Sequence, residues 1–359
     1  MEKKALIAMS GGVDSSVAAL LCQQAGFDCM GVTLKLYDNE DAGIPREKTC
    51  CSVDDVADAR SVAFRLGMPF YVFNFKEAFR REVMDRFVQA YERGETPNPC
   101  VDCNRYIKFE KLMRRGEEVG FPYIATGHYA RVEFDGAAGR WLLKKGLDEN
   151  KDQSYMLWSL TQWELSRLLL PLGGLTKERV RQLAEEHGFL NARKRDSQDI
   201  CFVPDGDYAA FIRRYAGKEF PPGAFVGTQG QVYGQHKGII HYTVGQRKGL
   251  GLSFPQPMFV KELDVEKNRV VLAKAEELFS QEVIARDINL ISVESIPAPL
   301  RVKARVRYRQ KEQPATVLQT GPGELRVVFD QPQRAVTPGQ SLVLYDGDTV
   351  VGGGKIARK

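Results

Sequence analysis

Cys100 and Cys103 stand as a C-x-x-C in Asn98 to Phe109, NPCVDCNRYIKF, just after an Asn-Pro turn. Such a pair can be half a zinc site, a redox couple or one corner of an iron–sulfur site. A third thiol, Cys201, lies far downstream in SQDICF. Zinc usually takes four ligands, and these residues offer three. Sulfur transfer asks for two thiols, one to carry sulfur as a persulfide and one to release it. Cys103 and Cys201 suit that task if the fold brings them together. Free cysteine is most often a small core residue. Cys22 and Cys29, on apolar faces of the first helix and second strand, are read that way. The vicinal pair Cys50–Cys51 precedes a helix that Ser52 and Asp55 would cap, and is read as structural.

A second stretch carries chemistry. Ser10-Gly11-Gly12-Val13-Asp14-Ser15 lies between a short apolar run, Lys4 to Met9, and a helix rich in Ala and Leu. Two glycines let backbone N–H groups approach an anion, and Asp14 or Ser15 can cap the helix. The helix dipole adds positive charge at that end. No GK[ST] follows, so this is not a Walker A loop. Two glycines alone are no more than a generic strand-to-helix turn.

The elements around these residues set the fold class. Strand-like segments at Lys4 to Met9, Asp28 to Leu36, Met68 to Phe75 and Phe121 to Gly127 alternate with helical ones, including Val53 to Leu66 and Arg80 to Arg93. That alternation predicts an α/β fold, a parallel sheet with helices on both faces. After about Pro204 the segments become short, β-branched and punctuated by Gly and Pro. One helix, DYAAFIRRYAG, leads into two smaller β-rich domains, the last a small β-barrel. The expected domains are 1–203, 204–277 and 278–359. With 359 residues and 43% hydrophobic content the chain can bury such cores. No apolar run reaches the roughly 18–20 residues of a membrane span. Seven cysteines and no signal-peptide pattern lead us to expect a reducing, cytoplasmic setting.

The net charge of +5 is weak evidence for nucleic acid until it is located. In RVKARVRYRQK, Arg301, Lys303, Arg305, Arg307, Arg309 and Lys311 occupy every second position. On a strand all six would share one face. With no acid among them they would repel, and a phosphate backbone would relieve this. A solvated face is the plainer reading. His128 follows Gly127 at a strand end. Gly245 to Gly251, GQRKGLG, reads as a basic loop with a structural or gating role.

SGGVDS after the first strand resembles the PP-loop of the ATP pyrophosphatases. GGVDSSVAA, TPNP, CN–x–x–IKF, TGHYAR, KDQSY, SQDICF and YTVGQRKGLG occur in the order seen in bacterial tRNA-specific 2-thiouridylases, over essentially the whole chain. The resemblance implies ATP, with Mg²⁺, at Ala8, Met9, Ser10, Gly11, Gly12, Val13, Asp14 and Ser15, and also at Leu34 and Gly127. It implies Cys103 as nucleophile and Cys201 as persulfide carrier. It places the target base at Asn98, Pro99 and Cys100. It places tRNA contacts at His128, at Lys151, Asp152 and Gln153, at Arg307 and Tyr308, and at Gln340. The implied activity is ATP-dependent 2-thiolation of wobble uridine 34 in tRNAs of the lysine, glutamate and glutamine type, fed by an upstream sulfur donor. The chain departs from the pattern at Cys100, where such enzymes carry Asp. A thiol of ordinary pKa does not replace a carboxylate at neutral pH. Cys100, Cys103 and Cys201 together resemble the sites of iron–sulfur tRNA thiolases, in which three thiolates would hold a [4Fe–4S] cluster and leave one iron for sulfide. The other classes to test are a PP-loop synthetase adenylating a small metabolite and a non-enzymatic RNA-binding or thiol-carrier protein.

Overall fold

The computed structural model describes residues 2–38, 53–194 and 200–358. Cys50, Cys51 and Ser52 lie outside them, as do residues 195–199. The chain forms two compact units. One holds Met1–Val83, Cys100–Gly206 and Asp348–Val350; the other holds Met84–Pro99, Asp207–Gly347 and Val351–Lys359.

The first unit is built on strands β1 (Lys4–Ala8), β2 (Asp28–Lys35), β3 (Phe70–Asn74) and β4 (Tyr123–Ala125), the hairpin β5 (Ala130–Asp135) and β6 (Arg140–Lys145), and β7 (Leu168–Leu169). The sheet order is β3-β2-β1-β4-β7, every pairing parallel. Parallel strands must be covered on both faces, and alternation along β1 shows how. Ala5 and Ile7 join the core made with helix α1 (Val13–Gln24) and helix α2 (Val53–Arg65). Leu6 turns to the opposite face, where Gly116 of the helix Leu112–Glu118 packs close to Ile124. Cys22 and Cys29 belong to the first of these cores, as their apolar surroundings in sequence suggest. Helix α3 (Lys177–Glu186) adds Val180 and Ala184 to it and is capped by Thr176.

Two helical segments differ from the sequence reading. The stretch from Lys76 to Glu92 is interrupted by a π-helical turn, Arg80–Met84. For Asn98 to Phe109 the sequence reading names only an Asn-Pro turn. Instead Pro99–Asp102 is α-helical and Cys103–Lys111 is π-helical. Proline in a first helical turn loses no hydrogen bond, which is why the segment can start there.

In the second unit, β8 (Gly223–Gly227), β9 (Val232–His236), β10 (Phe259–Asp264) and β11 (Arg269–Ala273) form a sheet of order β10-β11-β8-β9. Then β12 (Phe279–Leu290), β13 (Leu300–Arg305), β14 (Gln313–Gly321), β15 (Glu324–Arg334), β16 (Ser341–Asp346) and β17 (Thr349–Ile356) follow in the order β12-β15-β14-β13-β16-β17. Strand β17 also pairs with β12, which closes a six-stranded barrel. Alternate residues such as Val302, Ala304, Val317, Leu325, Val327 and Phe329 fill its core. A parallel α/β layer followed by two β-rich parts is thus the architecture. Among the described residues no helix is long and apolar enough to cross a membrane.

The basic strand is shorter than its sequence pattern. Strand β13 ends at Arg305, and a turn closed by Gln310 N–H to Arg307 carbonyl follows. The charges are also not left without acids. Arg301 forms a bidentate pair with Asp330 at 2.8 and 2.7 Å, and Arg305 pairs with Glu312 at 2.8 Å. Asp330 comes from β15, two strands away in the sheet, whereas Glu312 stands directly after the basic run, just before β14.

Candidate active site

The glycine loop sits where β1 ends, between β2 and β4, the point at which the strand order reverses and open α/β sheets bind ligands. Met9 extends the strand by an N–H bond to Val32, and the Thr33 hydroxyl donates to the Met9 carbonyl at 2.7 Å. Gly11 has φ of +76°, and a Cβ there would lie 2.4 Å from the Asp55 carbonyl oxygen. Only glycine fits. The Gly12 carbonyl accepts from the hydroxyls of Ser15 at 3.0 Å and Ser16 at 3.1 Å. The Gly11 carbonyl accepts from Asn191 Nδ2 at 2.9 Å. The loop's carbonyls are thereby taken up, while the N–H groups opening α1 have no partner inside the helix. Val13 is buried, and Ser10 donates its N–H to Ser15 Oγ at 3.2 Å. Ala8 closes β1, and Leu34 is buried in the neighbouring β2.

Gly127 lies just past β4. A Cβ on it would fall 2.7 Å from the Asp14 carbonyl carbon and 2.8 Å from the Ser15 nitrogen. The missing side chain lets this strand end meet the start of α1. The next residue, His128, is buried, with Nδ1 at 2.7 Å from the Thr126 hydroxyl and its ring 5.8 Å from that of Phe109. Residues 126–128 therefore join the glycine loop to the π-helix that starts at Cys103. Burial, helped by the Lys108 cation, holds the His128 imidazole well below the usual histidine range. It is a neutral hydrogen-bonding group near pH 7, not a cation for phosphate.

The cysteine helix is not primed for nucleophilic attack. Cys103 is buried, and burial pushes its thiol up to about 11. Lys108 opposes that shift, while Cys100 and Asp102 add to it. Cys100 is exposed, yet enough protein surrounds its sulfur for desolvation to raise it as well, again against Lys108. Lys108 is five residues from Cys103, the repeat of π-helical hydrogen bonding. Asn104 is buried, donates to the Met156 carbonyl at 3.1 Å and leaves Oδ1 without a partner.

Cys201 is half-buried. Its carbonyl accepts from the Tyr37 hydroxyl at 2.6 Å, and Phe202 packs edge-on against Phe79 at 5.7 Å. The five described cysteines, Cys22, Cys29, Cys100, Cys103 and Cys201, are free thiols. Among the described residues no three His, Cys, Asp or Glu side chains converge as a metal site. No such group includes Cys100, Cys103 and Cys201.

The residues expected at RNA have definite local partners. Asp152 is buried, its Oδ1 accepting N–H groups of Gly146 and Ser154 at 3.1 Å each, and its Oδ2 the Ser154 hydroxyl at 3.0 Å. Gln153 Oε1 accepts the Tyr129 N–H at 2.9 Å. Lys151 is half-buried. In the second unit, Arg307 donates to the Ala335 carbonyl and to Thr337 Oγ1, and Tyr308 is half-buried beside it. Gln340 Nε2 donates to the Thr96 carbonyl at 2.7 Å, two residues before Asn98 and three before Pro99. In the loop Gly245 to Gly251, Gly245 has φ of +89°, and a Cβ there would meet that of Ala335 at 2.8 Å, which favours the structural reading.

Sequence reasoning missed three lysines and a tyrosine. Lys177 places Nζ at 2.7 and 2.8 Å from the two oxygens of Asp14, and the Tyr129 hydroxyl donates to the same carboxylate at 2.7 Å. Lys194 bonds Asp55 at 2.6 Å and Asp58 at 2.7 Å and reaches the Gly11 carbonyl at 3.5 Å. Desolvation works against its charge, but the two carboxylates outweigh it and hold Lys194 above the usual lysine range. Lys108 lies in CN–x–x–IKF, a motif whose pattern gives it no role of its own. Thr176 before Lys177 signals a capped helix start, yet nothing local ties that start to Asp14.

Residues 3–205 match the family model described as tRNA methyl transferase HUP domain. Residues 209–274 match a tRNA methyl transferase PRC-barrel domain, and residues 280–356 an aminomethyltransferase beta-barrel domain. A tRNA-specific 2-thiouridylase of Clostridioides difficile strain 630 is 50% identical over 358 residues, covering 100% of this chain and 99% of the relative. One of Thermoanaerobacter sp. strain X514 is 51% identical over 357 residues, 99% of this chain and 98% of its own. One of Acetivibrio thermocellus is 50% identical over 356 residues, 99% of each chain. The chain belongs to the tRNA-specific 2-thiouridylase family.

Proposed function

We propose that the protein is an ATP-dependent tRNA-uridine 2-sulfurtransferase that thiolates the wobble uridine of tRNAs of the lysine, glutamate and glutamine type. One observation carries the reading beyond family membership: Gly127 abuts the glycine loop while its neighbour His128 abuts the helix of Cys103. Nucleotide activation and thiol chemistry thus share one unit. The loop's N–H groups would hold the ATP phosphates, and Asp14 is the carboxylate placed to meet Mg²⁺. Its glycines fit a close-approaching anion, because a Cβ at Gly11 has no room. Leu34 and Gly127 would line the nucleotide.

The uridine, flipped from its stack, would be received by Asn98, Pro99 and Cys100. Its O2 attacks the α-phosphorus of ATP, and pyrophosphate leaves with the bond's electron pair. A persulfide on Cys201 supplies the sulfur. Once Cys103 and Cys201 are brought together, attack of Cys103 on that persulfide would form a Cys103–Cys201 disulfide and free sulfide, which adds at C2 and expels AMP. An external thiol reduces the disulfide, and an upstream protein reloads Cys201. No step is routed through an iron–sulfur cluster on these cysteines. Cys100 in place of the usual aspartate has no assigned proton-transfer role, since its raised thiol is neutral near pH 7. His128, Lys151, Gln153, Arg307, Tyr308 and Gln340 would contact RNA, with Asp152 bracing its own turn. The setting is cytoplasmic, and the division into 1–203, 204–277 and 278–359 separates catalytic, central and RNA-binding parts.

The test is nucleoside mass spectrometry of such a tRNA after incubation with the protein, Mg–ATP and a sulfide or persulfide source. We expect 2-thiouridine with AMP and pyrophosphate in step. ATP turnover to AMP without RNA, and no thiolated product, would favour a small-metabolite synthetase instead.

A further inference from the structure

The glycine loop contains no lysine. Loops that grip a terminal phosphate commonly supply one, because a polyanion needs a mobile cation as well as N–H groups. The fold brings cations to this loop from far along the chain. Lys177, first residue of α3, is 163 residues from Asp14, yet its ammonium bonds both carboxylate oxygens at 2.7 and 2.8 Å. It is 8% exposed, its backbone N–H is fixed to Asp148 Oδ2 at 3.0 Å, and its Nζ lies 5.8 Å from the Tyr129 ring centroid. The side chain is delivered and held.

A purely structural ion pair would be the simpler account. Yet buried pairs contribute little net stability compared with apolar packing of the same volume. Asp14 also has other support: it lies in the first turn of α1, where the helix dipole favours an anion, and it accepts the Tyr129 hydroxyl. Lys177 is thus not the only group that holds that carboxylate. Lys194, at the other side of the loop, is a poorer candidate, since Asp55 and Asp58 both hold its ammonium.

We propose that Lys177 is the phosphate lysine that the loop lacks. In the free chain it is parked on Asp14. When Mg–ATP fills the loop, Asp14 turns to the metal and Lys177 to the β- and γ-phosphates. The exchange leaves each charge paired. When uridine O2 bonds to the α-phosphorus, the bond to the β-phosphate oxygen breaks and its electron pair leaves on pyrophosphate. Lys177 meets that charge without giving up a proton. The inference rests on the reading that the loop takes ATP.

The experiment is calorimetric binding of inorganic pyrophosphate with Mg²⁺, and separately of adenosine, to the full chain. Wild type is compared with Lys177→Met and Lys177→Arg. We expect Lys177→Met to lose about tenfold or more in pyrophosphate affinity, the scale of one charged contact. Adenosine affinity should stay unchanged, and Lys177→Arg should restore most of the loss. Pyrophosphate binding by Lys177→Met as tight as wild type would overturn the proposal. So would an equal loss for pyrophosphate and adenosine, which marks a structural role. Should Lys177→Met fail to fold, Lys177→Gln, whose amide still donates to Asp14, takes its place with the same two outcomes. A wild-type chain that binds neither pyrophosphate nor ATP would overturn the reading of the loop itself, and with it the role of Lys177.

Discussion

The glycine loop and the cysteine helix lie in one unit, yet they are prepared to different degrees. The loop is finished: Gly11 and Gly127 leave the space a Cβ would take, and Ser15, Ser16 and Asn191 occupy its carbonyls. The cysteine helix is at rest, with Cys103 buried and its thiol pushed up to about 11. A thiol, rather than a thiolate, is a poor nucleophile. On the proposed reading, nucleotide binding would need no rearrangement of the loop, whereas sulfur chemistry would wait for a change around Cys103. A bound RNA is the natural agent of that change. Keeping the thiol protonated until then also protects it from adventitious oxidation.

The sharpest division between the two regions would come from Cys103→Ser. Thiolated product should fall to background, while Mg–ATP affinity stays within about twofold, because the loop owes nothing to that sulfur. Nucleoside mass spectrometry and calorimetry read the two quantities. A large loss of ATP affinity in this variant would mean that the regions are not independent.

Gly127→Ala should produce the reverse pattern. The added methyl would stand 2.7 Å from the Asp14 carbonyl carbon. Such overpacking costs on the order of 1–3 kcal/mol and should be seen as a lower urea midpoint. ATP affinity should drop with it, since the start of α1 must shift. Alkylation of Cys103 should remain slow, as its burial depends on the other helix. Rapid alkylation in Gly127→Ala would show that the loop also shields the thiol.

How far the sequence reveals each region follows the same line. The loop is legible because its information is local: an apolar strand, two glycines and a helix rich in Ala and Leu within about twenty residues. The parallel sheet is legible for the same reason. What is hidden is what arrives from afar. Lys177 and Lys194 reach Asp14 and Gly11 over 163 and 183 residues. Asp330 neutralises Arg301 from 29 residues away, while Glu312, adjacent to the run in sequence, folds back on Arg305, so the alternating basic run is less of a bare cationic face than its pattern suggests. The helical form of Pro99–Lys111 was missed because Pro and two nearby cysteines read as a turn. Proline at a helix start was the available signal.

The resting state of Cys103 has a pH signature. In the RNA-free protein its alkylation rate should rise about tenfold per pH unit from neutrality toward about 11, following the thiolate fraction. Bound tRNA that activates the thiol should flatten the profile and raise the rate at pH 7. The sign for stability follows from the same groups. Cys103 and Cys29 are raised to about 11 and Cys22 to about 12, from an ordinary 9.0. Their contribution to stability is complete below pH 9 and is lost as pH rises toward 11 and 12. A urea midpoint that climbs over this window would contradict that account.

The smallest expected effect is the most discriminating about cause. Lys108 lowers both Cys103 and His128, in each case as a secondary influence beside burial. For Cys103 it opposes burial; for His128 it acts with burial. Lys108→Met should therefore move both groups upward. Alkylation of Cys103 should slow by less than about tenfold, as one pKa unit is about 1.4 kcal/mol and burial stays dominant. The His128 ring, followed by NMR titration, should move toward the usual histidine value without reaching it. If burial alone governed both groups, neither would respond. If the substitution instead opened the pocket to water, the two would part, the thiol falling and the imidazole rising. A common upward shift is the pattern that a single cation acting on both groups produces.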